Sequence, residues 1–134
     1  MEKSAAAADF SGKRILVVED NDINREIAVT LLEGWGFKAE EAVNGKEAVE
    51  KFLDAPPHYY DGILMDIKMP VMDGYEATIE IRKSSQTVPI IAVTAYAFAE
   101  DEARVLRSGF DAYVSKPINA SIRDIVRLHL NKQR

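Results

Sequence analysis

Five short runs rich in β-branched and apolar residues, at positions 14–19, 38–43, 62–67, 89–94 and 112–115, are separated by longer segments whose apolar residues recur at helical spacing. Few folds accommodate this alternation. Consecutive short strands joined by helices must lie parallel, and right-handed crossovers then place helices on both faces of one sheet. The expectation is an α/β domain of five strands and five helices. Ile23, Ile27, Leu31 and Trp35 mark the apolar stripe expected of the first helix, with Gly34 and Gly36 near its end. Asn44, three residues before Glu47, has capping spacing for a second helix that buries Ala48, Val49, Phe52 and Leu53 and stops at Pro56-Pro57. Thr78, Ile81 and Arg82 follow Gly74 in the third. Ala99, Ala103, Leu106 and Phe110 share a face of the fourth, and Ile118, Ile122, Ile125, Val126 and His129 recur along the fifth.

A chain of 134 residues is expected to form one domain with a core that needs no staple. Residues 1–12 read as a linker or an added tail, or as a helical extension, and 13–134 as the domain. With 17 basic and 22 acidic side chains the formal charge is −5, and no basic stripe offers a nucleic-acid footprint. Cysteine is absent, which excludes disulfides, thiol nucleophiles and thiolate metal sites. No apolar run approaches the roughly 20 residues that span a bilayer. The segment is therefore expected not to insert into a membrane, and Met1-Glu2-Lys3-Ser4 leads into alanines rather than a signal-peptide core, so a cytoplasmic location is expected.

Ligands on parallel sheets collect at the carboxyl ends of the strands. Glu19-Asp20, Asp66, Thr94 and Lys116 fall at the ends of the first, third, fourth and fifth strands. A carboxylate kept in apolar surroundings is costly unless it is paired or coordinates a metal. Three acids at one edge call for a cation, and with oxygen ligands alone magnesium suits the site better than zinc. Lys116 adds a fixed positive charge and Thr94 a hydroxyl donor. The set suits phosphoryl transfer to Asp66, which depends on positioning and charge neutralisation more than on acid-base work.

ILVVEDN at residues 15–21, LMDIKMPVMDG at 64–74, AVTA at 92–95 and DAYVSKP at 111–117 together resemble the receiver domain of two-component response regulators, from Lys13 to the C-terminus. Asn21, Asn24, Arg25, the run 44–49 and the run 74–78 look most like receivers of hybrid sensor histidine kinases. The resemblance implies a flavodoxin-like (βα)5 fold with strand order 2-1-3-4-5. It implies Asp66 as phosphoacceptor, Asp20 as direct magnesium ligand, Glu19 acting through water and the Lys68 carbonyl as a further ligand, with manganese as an alternative ion. Lys116 would contact the phosphoryl group, Thr94 and Tyr113 would be switch residues, and Lys116-Pro117 would be a cis peptide. Lys68 and Tyr96 would tune how fast water reaches the acyl phosphate. The acidic pair is Glu-Asp where many relatives have Asp-Asp. The implied partner is a histidine kinase or histidine phosphotransfer domain, the implied output face is the fourth helix, fifth strand and fifth helix, and the implied assembly is a monomer or weak dimer. The parent protein could then be membrane-anchored.

Beyond magnesium-dependent self-phosphorylation and self-dephosphorylation, no enzyme activity is expected. An aspartyl-nucleophile phosphatase would have a second Asp two residues after the nucleophile, where Lys68 stands. A degenerate receiver used for docking would lack the acceptor, the acidic pair or the lysine. No G-x-G-x-x-G opens the first helix, which disfavours a dinucleotide site. His58 and His129 read as ordinary residues rather than phosphodonors, and Asp73-Gly74 and Asp61-Gly62 as turns.

Overall fold

The computed structural model describes residues 12–95, 99–116, 118–120 and 122–132. Strands β1 (Arg14–Val18), β2 (Lys38–Ala42), β3 (Gly62–Asp66), β4 (Ile90–Thr94) and β5 (Ala112–Ser115) alternate with helices α1 (Asp22–Gly34), α2 (Gly45–Asp54), α3 (Gly74–Arg82), α4 (Ala99–Ser108) and α5 (Ile122–Lys132). All pairings are parallel and the order is β2-β1-β3-β4-β5, as expected. The register sets Val18 beside Met65, Asp66 beside Val93 and Thr94 beside Ser115, so four strands end in one row.

β3 and β4 lie inside the sheet and are buried at every position, which explains their unbroken apolar runs. Leu16, Val18, Ile63, Met65, Ile90 and Ala92 pack on one face with Ala48 of α2, Tyr75, Ala77 and Ile81 of α3 and Val105 of α4. Ile15, Val17, Leu64, Ile91 and Val93 pack on the other with Ala28 and Leu32 of α1 and Ile122, Val126 and Leu130 of α5. Among the described residues no helix is long and apolar enough to cross a membrane.

The expected period of α1 is present but its phase differs. Ala28 and Leu32 face the sheet, whereas Ile23 and Ile27 are 69% and 45% exposed. Burial of Ala28 and Leu32 in the core sets the rotation, and Arg25 lies on the same helix face. Its guanidinium is bound at the sheet edge, to the Glu19 carbonyl and the Glu41 carboxylate. Residues 28 and 32 share that face and pack on the sheet, which leaves 23 and 27 outside. In α2 Leu53 is exposed, and in α4 Val105 is buried while Ala103 and Leu106 are exposed. Ile118 precedes α5 instead of belonging to it. Residues 1–11 of the expected tail lie outside the described residues.

Two glycines close helices, Gly36 as the sequence suggests. Gly36 has φ +101° and follows α1, with Phe37 N–H donating to the Leu32 carbonyl; Gly109 repeats the motif after α4 at φ +109°, with Phe110 N–H donating to the Val105 carbonyl.

Arg82, the last residue of α3, holds together the segments that enter β4 and β5. Its Nε donates to the Gly109 carbonyl (2.8 Å), Nη1 to the carbonyls of Val88 (2.7 Å) and Ser85 (3.2 Å), and Nη2 to Asp111 Oδ2 (2.9 Å). Asp111 Oδ2 also accepts from Ile90 N–H at 2.8 Å. A methionine at position 82 would fill similar space and strand these acceptors. Arg82→Met is expected to lower unfolding free energy by about 3 kcal/mol, read as a lower urea midpoint at unchanged m-value.

Candidate functional site

The strand ends deliver their acids to one place. Glu19 follows β1 and is only 4% exposed. Its N–H donates to the Ala42 carbonyl (3.1 Å), its Oε2 accepts from Asn21 N–H (3.0 Å), and its Oε1 lies 3.1 Å from Lys116 Nζ. Asp66, the last residue of β3, is also 4% exposed, and its Oδ2 accepts from the same ammonium at 3.1 Å. Asp20 is exposed, yet oxygens of Glu19, Asp20 and Asp66 lie within 4.8 Å of one another. Lys116 follows β5 and is held by its own N–H, which donates to the Thr94 carbonyl at 2.7 Å. Thr94 closes β4 and is buried. Beside the acids, a cleft of about 220 Å³ is lined by Glu19, Asn24, Ile27, Lys116 and Ile118.

Tyr113, half-buried on β5, donates its hydroxyl to Glu102 Oε2 of α4 at 2.8 Å, and that bond raises the phenol pKa. Lys68 is exposed, two residues past Asp66. Tyr96 and Pro117, and with Pro117 the expected cis peptide, lie outside the described residues. His58 sits in the loop before β3, at the opposite end of that strand from Asp66, and His129 lies on α5.

A family model described as the response regulator receiver domain matches residues 15–127. The chain belongs to that family. It is 42% identical over 130 residues to hybrid signal transduction histidine kinase I of Dictyostelium discoideum, a match covering 89% of this chain and 8% of that kinase. It is 44% identical over 108 residues to a two-component response regulator of Oryza sativa subsp. japonica, covering 79% of this chain and 84% of that protein. Its fold matches the receiver domain of a sensor histidine kinase from Pseudomonas aeruginosa PAO1, with a TM-score of 0.82 and 36% identity over 90% of this chain and 99% of that one. That crystal structure holds magnesium in its active-site cleft.

The receiver's own donor set fits such an ion. Three carboxylates face one ammonium, an excess of negative charge that a hard divalent cation offsets, and every donor is oxygen. Burial and the adjacent Glu19 raise the pKa of Asp66 to about 6, against the opposing pull of Lys116. Burial works against the charge on Lys116, but its bonds to Asp66 and Glu19 prevail and hold its pKa above the ordinary lysine value.

Two supports of the site were not legible as such. Gly74 donates its N–H to the Ile67 carbonyl at 2.8 Å, and a Cβ there would overlap the Asp66 carbonyl oxygen. The strand end that carries Asp66 is therefore shaped by a glycine eight residues later. Asp73, read as part of a turn, is the N-cap of α3 in a reciprocal capping box with Glu76. Between them and the strand, Val71 adopts φ +72° while Met72 N–H reaches back to the Pro70 carbonyl at 2.8 Å, a strained γ-turn.

The raised Asp66 pKa has a definite sign in stability. The folded chain keeps this proton up to about pH 6, whereas the unfolded chain releases it near 3.8. Between these values the folded state binds the extra proton, so this group's contribution falls as pH rises and stays low above the window. In chelator, Asp66→Asn is expected to have the higher urea midpoint, with its advantage over wild type growing from pH 4 to pH 6 and then levelling.

Proposed function

We propose that this receiver accepts a phosphoryl group from a partner's phosphohistidine onto Asp66 and works as a two-component signalling switch. The observation that supports it most is a buried strand-end carboxylate bonded to a lysine beside two further carboxylates. One oxygen of Asp66 attacks phosphorus in line, forming the O–P bond as the P–N bond to the imidazole breaks. Lys116 is placed to take up a phosphoryl oxygen when its hold on the free carboxylate is relinquished, and the Thr94 hydroxyl to donate to another. Magnesium, or manganese, held by Asp20, Asp66 and the Lys68 carbonyl with Glu19 acting through water, supplies neutralisation of the transferring oxygens when bound.

The aspartyl phosphate carries about −1.5 to −2 units of charge where the ionised Asp66 carried one, and spreads it over three further oxygens. Thr94 moves toward it, and Tyr113 leaves Glu102 for the space vacated, so that the surface of α4, β5 and α5 changes. Both arrangements pre-exist and the phosphoryl group shifts their populations. The partner is a protein, a histidine kinase or histidine phosphotransfer domain. Ile23 and Ile27 expose apolar surface on α1, and a groove of about 530 Å³ runs past them to Ile118. Such a surface suits a protein carrying the phosphohistidine better than a free small phosphodonor. The kinship with hybrid kinases supports a parent of that kind, with the receiver in the cytoplasm and as a monomer or weak dimer. Lys68 at the place of a second aspartate argues against turnover of free phosphoesters, and the complete acidic set argues against a docking-only module.

Incubated with magnesium and a small acyl phosphate, the wild type is expected to gain the mass of one phosphoryl group. Asp66→Asn, or wild type with chelator, should gain none. A folded, magnesium-supplied wild type of unchanged intact mass would overturn the proposal. Tyr113→Ala is expected to keep the phosphoryl gain and lose phosphorylation-dependent partner binding, and retention of that binding would remove the tyrosine from the switch.

A further inference from the structure

Resting on that reading of the acids as a magnesium site, we infer that Arg25 is a positioning residue for the acidic pair, and that it sets the receiver's affinity for the divalent ion without touching it. The Asp20 carboxylate has no hydrogen bond or ion pair among the described residues, so its place is set by its backbone. The preceding residue is committed on every side. Glu19 N–H donates to Ala42, its carboxylate takes the Asn21 N–H and the Lys116 ammonium, and its carbonyl takes Nη1 of Arg25 at 2.9 Å. That last bond fixes the Glu19–Asp20 peptide plane, from which the Asp20 side chain departs.

Arg25 can grip this carbonyl because the rest of its planar fork is anchored. Nη2 donates to Asp22 Oδ1 at 2.6 Å and Nε to Glu41 Oε1 at 2.9 Å, and the arginine side chain is only 13% exposed. The two anchoring carboxylates are 88% and 52% exposed, so these ion pairs contribute little to stability. What they supply is orientation. Groups that orient metal ligands from outside the coordination sphere typically change affinity by about 10–100-fold.

The sign of the effect separates positioning from charge. Removing a cation near an acidic cluster should, by Coulomb attraction alone, tighten magnesium binding. Freeing the Glu19–Asp20 peptide should weaken it. In calorimetric titration with magnesium chloride, Arg25→Ala is expected to bind about tenfold more weakly than wild type. The apparent magnesium constant for phosphorylation by an acyl phosphate should rise in parallel, while the rate at saturating magnesium returns to that of wild type. Arg25→Lys keeps the charge but cannot satisfy three acceptors in one plane, and it is expected to bind roughly threefold more weakly, which serves if the alanine variant does not fold. Affinity unchanged or tightened in a folded variant, with wild type binding normally, would overturn this inference and leave the proposed function standing. No magnesium binding by wild type would overturn both.

Discussion

One ammonium between two buried carboxylates is the interaction on which the site depends. Lys116 bonds Glu19 and Asp66 at equal distances, and a third carboxylate stands beside them with no cation of its own among the described residues. The arrangement is under-neutralised, and burial together with the adjacent Glu19 carboxylate holds the pKa of Asp66 up. Under the proposed phosphoryl transfer, the group that would bear extra negative charge is held where charge is already in excess. The same lysine limits how far the strand ends can separate, since its backbone is tied to β4 through Thr94 while its side chain reaches the ends of β1 and β3.

The sheet makes this possible because parallel strands bring their carboxyl ends to one edge. Residues 19, 66, 94 and 116, remote in sequence, need only be strand-terminal to converge. That is why strand positions and the acid and lysine group could be read from the chain before its coordinates, while the sheet order followed from the resemblance to receivers. Each signal was local, an apolar run followed at once by a charged or hydroxyl residue.

What could not be read depended on partners far along the chain. Ile23, Ile27, Leu31 and Trp35 have the spacing of a core stripe, and a single sequence does not separate an apolar face meant for the interior from one left at the surface. The rotation of α1 is set by Ala28 and Leu32 packing against sheet residues such as Leu64 and Val93, remote in sequence. Gly74 matters because of where the Asp66 carbonyl lies, and Asp-Gly spells a turn as readily as a helix start. Leu106 followed the right period at the wrong angle, since its neighbour Val105 packs into the core, and in α2 Ala48, Val49 and Phe52 meet the core while Leu53 stays exposed.

The Arg82 cluster gives the molecule a mechanical asymmetry. Strands of five residues put the amino edge about 15 Å from the acidic edge. At the amino edge one guanidinium clamps the end of α3, the approach to β4 and the turn into β5. The loops at the far edge are therefore cantilevers on a fixed base. In the proposed switch, displacement of Thr94 at the tip of β4 would be carried by bending there rather than by sliding whole elements, whereas Tyr113, two residues past the clamped Asp111, would turn its side chain on a fixed base.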